Sequence, residues 1–100
     1  MRPPKMSDET ALEALLALNA PLPAPWQISS GKLCKHFRFA DFNAAFAFMT
    51  RVAMAADMMD HHPDWRNSYA TVDIELMTHD AGGLTTLDFA LAQCIEAALA

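Results

Sequence analysis

The sequence predicts an α+β domain, an antiparallel sheet of about four strands with three helices packed on one face, and two kinds of apolar periodicity carry that expectation. Residues 33–39 and 69–79 alternate apolar and polar side chains with the period of two expected of half-covered strands. Residues 8–19, 42–60 and 85–99 instead repeat apolar side chains every three to four positions, the spacing of one helix face. In chain order this gives helix, two strands, helix, one or two strands, helix, with the helices on one side of the sheet.

Residues 1–7 read as a loose tail. Ser7 is placed to cap a helix whose first turn carries Asp8 and Glu9, where the helix dipole favours negative charge. Ala11, Leu12, Leu15 and Leu16 mark one face of that helix, which should end near Asn19 because Pro21, Pro23 and Pro25 forbid its continuation. Residues 26–29 form a short strand, Ser30 and Gly31 a tight turn, and residues 33–39 the returning strand. On that strand Leu33, Phe37 and Phe39 take one side, while Cys34, His36 and Arg38 take the other. His36 is therefore read as an ordinary surface histidine.

Asp41 can cap the central helix, residues 42–60. Phe42, Ala45, Phe46, Met49, Ala53 and Ala56 form one stripe that should face the sheet. Ala44, Phe48, Val52, Ala55 and Met59 widen the apolar arc beyond one contact, and this outer stripe is expected to be an interface between subunits. Residues 64–67 are loop or a short strand. In the long strand 69–79, Val72, Ile74 and Leu76 point one way and Thr71, Asp73, Glu75 and His79 the other. Thr85-Thr86-Leu87-Asp88 has the form of a capping box opening the last helix, which assigns Asp88 a structural role.

One hundred residues suit a single domain, 1–100, with no second unit. The hydrophobic fraction of 53% against 19% charged leaves more apolar surface than one small core needs, which again points to an oligomer. A net charge of -5 with only seven scattered basic residues argues against a nucleic-acid surface. No run approaches the roughly 18 apolar residues of a membrane span, and none of signal-peptide length follows Met1, so a soluble cytoplasmic protein is expected. Cys34 and Cys94 are read as free thiols of a reducing compartment, with a single disulfide as the other option.

The chemistry concentrates between Asp57 and Trp65. His61 and His62 stand side by side where Pro63 must end the helix, and Asp57, Asp60 and Asp64 surround them. Histidine exchanges protons near neutral pH. If His61 and His62 end the helix and His79 ends the long strand, all three imidazoles can converge at one rim of the sheet, an arrangement suited to taking one proton and giving another. Asp57 lies four residues before His61 and is expected to orient that imidazole. Adjacent histidines point apart, and no His-x-x-x-His pair or cysteine cluster accompanies them, so no metal is expected. No phosphate-cradling glycine loop is present, so no nucleotide is implied. Gly82-Gly83 is a turn whose backbone donors, beside His79, can hold a flat heterocycle. Trp65 is either a core or rim aromatic or a stacking platform for a substrate. Asp57 and Asp60 are further candidates to contact it.

The order Asp57, His61-His62-Pro63, Tyr69, His79 and Asp88, with Asp64-Trp65, Asn67, Thr78-His79-Asp80, Gly82-Gly83-Leu84-Thr85, Phe39 and Asp41-Phe42, resembles the signature of the pterin-4a-carbinolamine dehydratases over roughly residues 26–92. The resemblance implies dehydration of 4a-hydroxytetrahydrobiopterin to quinonoid dihydropterin by histidine acid/base catalysis. No metal or redox cofactor takes part. It assigns the proton transfers to His61, His62 and His79 and the pterin pocket to Pro63, Thr78, Asp80 and Ala81. Asp57 occupies the family's variable charged position. It further implies a homodimer or homotetramer through the central helix 42–59, with an aromatic amino acid hydroxylase as a possible partner. Animal members of the family also serve as dimerisation cofactors of a homeodomain transcription activator. An alternative is therefore a non-enzymatic binding module with vestigial histidines, using Phe48, Val52 and Met59 as its exposed stripe.

Overall fold

A computed structural model describes residues 2–99. Three α-helices and a four-stranded antiparallel sheet make an α+β fold: α1 (Asp8–Asn19), β1 (Gln27–Ser29), β2 (Lys32–Arg38), α2 (Phe42–Met59), β3 (Asp64–Ser68), β4 (Thr71–Leu76) and α3 (Thr86–Ala97). A 3₁₀ turn, His79–Ala81, follows β4. The spatial strand order is β1-β2-β4-β3, so β2 and β4 are central and pair Leu33 with Leu76 and Phe37 with Val72.

Local chemistry accounts for the boundaries. Ser7, Asp41 and Thr85 each accept a backbone N–H of the first turn they cap. Ser30 and Gly31, both at positive φ (52° and 73°), make the two-residue hairpin turn between β1 and β2. The segment 64–67, whose sequence suits loop or short strand, is edge strand β3, with Trp65 opposite Ile74. The strand expected over 69–79 is shorter at both ends: Tyr69 takes a positive φ of 49° in the β3–β4 turn, and β4 stops at Leu76, so His79 opens a 3₁₀ turn and does not end the strand.

The core lies on one face of the sheet. Leu33, Phe37, Val72, Ile74 and Leu76 meet Phe48 and Val52 of α2 and Leu91 and Ile95 of α3, all buried. The other face carries His36, Arg38, Glu75, Asp64 and Arg66, which are exposed.

The expected facing of α2 is corrected. Ala45, Phe48, Val52 and Ala56 are its buried residues, whereas Phe42 and Phe46 are 46% and 53% exposed. Phe48 is held by the rings of Phe37 and Phe39, whose centroids lie 5.1 and 4.9 Å away. A helix apolar over so wide an arc does not reveal which stripe meets the sheet; aromatic partners on β2 decide it. Phe48 and Val52 therefore cannot form an exposed stripe, and Met59 is half-buried. On α1 likewise Ala11 and Leu18 are buried and Leu12 and Leu16 exposed. Cys34 and Cys94 are free thiols, and no helix among the described residues is long and apolar enough to cross a membrane.

Candidate active site

The histidine pair is positioned by the way α2 stops. Asp60 takes a left-handed conformation (φ 50°, ψ 41°), its N–H closing on the carbonyls of Ala56 and Asp57. His61 N–H then donates to the Ala56 carbonyl at 3.1 Å. The reversal sends His61 inward, where it is 5% exposed, and leaves His62 outside. Pro63 leads into β3 through Asp64. On the neighbouring strand, buried Thr78 ends the run from β4, and its carbonyl accepts the N–H of Ala81 and of Gly82, which curls His79–Ala81 into the 3₁₀ turn.

These two segments enclose one cavity of about 190 Å³ lined by Arg2, His61, His62, Met77, Thr78, His79 and Asp80. The convergence of the three imidazoles expected from the sequence is thus present. Larger depressions lie on the open sheet face beside Asp64, Arg66, Asp73 and Glu75 (about 360 Å³), between α1 and the β1–β2 turn (about 390 Å³) and beside Pro3, Met59 and Leu87 (about 460 Å³), none lined by an imidazole; one of about 220 Å³ on the open face has His36 alone.

Each imidazole is backed by a carboxylate. His61 Nε2 lies 2.7 Å from Asp88 Oδ1, His62 Nε2 lies 3.0 Å from Asp57 Oδ1, and His79 Nε2 lies 3.2 Å from Asp64 Oδ2. An ionised carboxylate only accepts hydrogen bonds, so the shared proton sits on Nε2 and a neutral ring keeps Nδ1 as its basic nitrogen. Among the described residues no Nδ1 of these three has a hydrogen-bond partner, and no buried side-chain nitrogen or oxygen is left unpaired. His61 Nδ1 is accordingly not sealed off, although the ring as a whole is almost fully buried.

The environments differ. The His61–Asp88 pair is dry, with Asp88 fully buried; its Oδ2 accepts the Thr85 N–H and the Thr78 hydroxyl, both at 2.9 Å. The Thr78 and Thr85 hydroxyls are themselves 2.7 Å apart. Asp88 is therefore the capping-box residue expected, and also the carboxylate behind His61. The pairs at His62 and His79 are exposed.

The expectation that Asp57 orients His61 is corrected: Asp57 meets His62 instead. The left-handed cap at Asp60 breaks the helix before His61 can complete an i, i+4 pair. Neither the His61–Asp88 pairing, across 27 residues, nor the presence of Arg2 had a short-range signal. Of the remaining candidates, Thr78 and Asp80 line the cavity. Asp60 and Asp80 border the adjoining depression with Arg2 and Pro3. Asp57, Pro63, Trp65 and Ala81 are not among the residues lining the histidine cavity. Trp65 packs half-buried against the core on the inner face of β3.

Comparison with known proteins agrees in family and fold. The family model for pterin 4 alpha carbinolamine dehydratase matches residues 4–98. A protein of Synechococcus sp. (strain WH7803), carrying the provisional name pterin-4-alpha-carbinolamine dehydratase, is 56% identical over 72% of this chain and 77% of its own. One of Bradyrhizobium sp. (strain BTAi1 / ATCC BAA-1182) with the same provisional name is 47% identical over 93% of this chain and 91% of its own. Among solved structures, a transcriptional coactivator/pterin dehydratase from Brucella melitensis superposes with a TM-score of 0.85 at 37% identity, covering 96% of this chain and 99% of that one. A pterin dehydratase-like RuBisCO assembly factor of the alpha-carboxysome shares the fold, with a TM-score of 0.61 at 23% identity over 74% of this chain and 86% of that one. With a match that runs nearly end to end and relatives about half identical, this chain belongs to the pterin 4 alpha carbinolamine dehydratase family.

Proposed function

We propose that the histidine cavity dehydrates 4a-hydroxytetrahydrobiopterin, or a close pterin-4a-carbinolamine, to quinonoid dihydropterin and water. The observation that carries this reading is three imidazoles around one cavity, each held by a separate carboxylate. The reaction asks for that equipment. The N5–H proton leaves to a base while the hydroxyl on C4a, protonated by an acid, departs as water, and the electron pair released at N5 forms the new double bond. His61, His62 and His79 carry these transfers, each able to take a proton on Nδ1 while its carboxylate steadies the resulting imidazolium. Thr78 and Asp80 bound the substrate directly. Pro63 and Ala81 fix the backbone on either side, Asp60 borders the entrance, and Trp65 supports the floor of the sheet. On this reading the protein works in the cytoplasm and hands quinonoid dihydropterin to a separate reduction step, which restores the tetrahydropterin used by aromatic amino acid hydroxylases.

The same reading includes a homodimer or homotetramer through α2. Phe42, Phe46, Met54 and Met58 are exposed on it, Met58 at 90%, large apolar side chains on either side of Asn43, Thr50 and Asp57 that a second copy would cover. Those side chains also support a second reading, a binding module whose partner docks on α2 and whose histidines are idle.

Stopped-flow ultraviolet detection of 4a-hydroxytetrahydropterin decay separates the two. Acceleration by the wild type that is largely lost in His62→Ala and His79→Ala supports the dehydratase; a folded wild type that leaves the spontaneous rate unchanged leaves only the binding module.

A further inference from the structure

Arg2 is the cationic side chain of the cavity that no acid/base chemistry requires, and its contacts reach both walls. Arg2 donates to the Asp60 carbonyl at 2.6 Å, and its guanidinium lies 3.8 Å from the Asp60 carboxylate and 3.9 Å from that of Asp80. Asp60 closes the segment that carries His61 and His62; Asp80 sits in the turn opened by His79. One planar fork thus spans the two segments between which the histidines converge. The end of α2 invites a cation, since its C-terminal carbonyls carry the negative pole of the helix and its own last turn has no basic residue. The arm that delivers Arg2 is fixed at its base, where Met6 N–H donates to the Leu84 carbonyl at 2.8 Å and the Lys5 side chain lies against Gly83.

We propose that residues 2–6 form a strap and that Arg2 is a positioning residue, clamping the His61–His62 segment to the His79 turn so that the imidazoles keep one geometry around the substrate. Exposed ion pairs at these distances contribute little singly. The clamp works because the short hydrogen bond to Asp60 and the anchored arm give the guanidinium one place to be. Arginine suits the task, since a lysine ammonium cannot address two segments with a planar fork.

The kinetic half of the test rests on the dehydratase reading; the other half does not. In wild type and Arg2→Ala, amide hydrogen exchange is followed at residues 60–62 and 79–82, and dehydration is followed by stopped flow. The clamp requires faster exchange in both segments of the variant. It also requires kcat to fall about three- to tenfold with KM within twofold, as expected for the loss of one charged hydrogen bond. Arg2→Lys should recover less than half of the loss, and Arg2→Ala should add less in the Asp80→Asn background than in wild type. Unchanged exchange in Arg2→Ala overturns the strap, as does a KM effect with kcat intact, which would make Arg2 a substrate contact. A wild type that does not accelerate dehydration removes the reaction, while the exchange comparison still decides the clamp.

Discussion

His61 Nε2 lies 2.7 Å from Asp88 Oδ1, and neither side chain has appreciable contact with solvent. The pair ties the cavity to the start of α3, because the other carboxylate oxygen caps that helix through Thr85 and binds Thr78. One residue therefore serves both the fold and the site. Asp88→Asn replaces one acceptor by a donor among three donating partners and should destabilise the fold by about 1–3 kcal/mol. Asp88→Ala, which strands the buried His61 Nε2–H and Thr85 N–H while Thr78 keeps the Thr85 hydroxyl, should cost about 3–5 kcal/mol. Turnover of the still-folded Asn variant should drop tenfold or more as His61 loses its fixed tautomer. Urea titration and stopped flow on the same preparation check this; wild-type turnover in Asp88→Asn would show that His61 is not held through this bond.

The pair at His62 should behave in the opposite way. His62 and Asp57 are both exposed, so breaking their 3.0 Å contact should change stability by no more than about 0.5 kcal/mol. His62→Ala should nevertheless slow dehydration about a hundredfold, whereas Asp57→Asn, which leaves the imidazole in place, should slow it only about threefold. Equal losses in the two variants would mean that Asp57 contributes more than orientation.

How far the sequence could be read follows from the range of each interaction. The first hairpin was legible because alternation and turn chemistry are local: Ser30-Gly31 turns where expected, and the run from Val72 to Leu76 is a strand, whereas the β3–β4 turn at Tyr69 carries no glycine or proline signal. At the histidine cavity the helix end is a local signal, set by Pro63, whereas the strand stops at Leu76, short of the His79 that the alternation reaches. The carboxylate assignments were not legible, since a single left-handed residue, Asp60, decides which imidazole Asp57 can reach. The facing of α2 depended on which rings β2 presents, which no periodicity within α2 contains.

Lys35 is a further case of a long-range decision. It lies on the inward face of β2, opposite Ile74, with its Nζ 2.6 Å from Glu96 Oε2 and 2.8 Å from the Ala24 carbonyl. Glu96 also accepts the Trp26 indole N–H at 2.9 Å, so the pair pins the proline linker and α3 to the sheet. Lys35→Met should cost about 3–5 kcal/mol, because Glu96 is left buried without its cation. Lys35→Met with Glu96→Gln should recover most of that loss, as an uncharged amide can keep the Trp26 bond. A midpoint shift in urea at constant slope is the measurement. A double variant no more stable than the single would show that linker geometry, not the stranded charge, sets the cost.

Cys34 offers a pH-dependent check on the open sheet face. Its thiol is held above its ordinary pKa, first by burial and then by the neighbouring Glu75 carboxylate. The charged form is disfavoured in the folded protein, so the thiolate appears later as pH rises than in the unfolded chain. Folding stability contributed by this group is therefore intact below the unfolded pKa and declines as pH climbs through it. Iodoacetamide should alkylate native Cys34 more slowly at pH 8 than the urea-unfolded protein, and Glu75→Gln should speed the native reaction. A native rate equal to the unfolded one would contradict the burial.

The two faces of α2 give the last expectation, and it divides stability from assembly. Phe48 is fully buried between the rings of Phe37 and Phe39, so Phe48→Ala should remove about 3–5 kcal/mol and with it much of the stability of so small a domain. Phe46 is 53% exposed and its ring lies 5.6 Å from that of Phe42, leaving both free to meet another molecule. Phe46→Ser should leave the monomer's fold nearly as stable, because little buried area is lost within the chain. If α2 is the subunit interface, the same change should shift sedimentation from oligomer toward monomer and make the melting temperature depend on concentration. An oligomer that survives Phe46→Ser together with Met54→Ser would move the interface off this helix. The edge strands β1 and β3 would then be the place to look, since each leaves one side of its backbone unpaired.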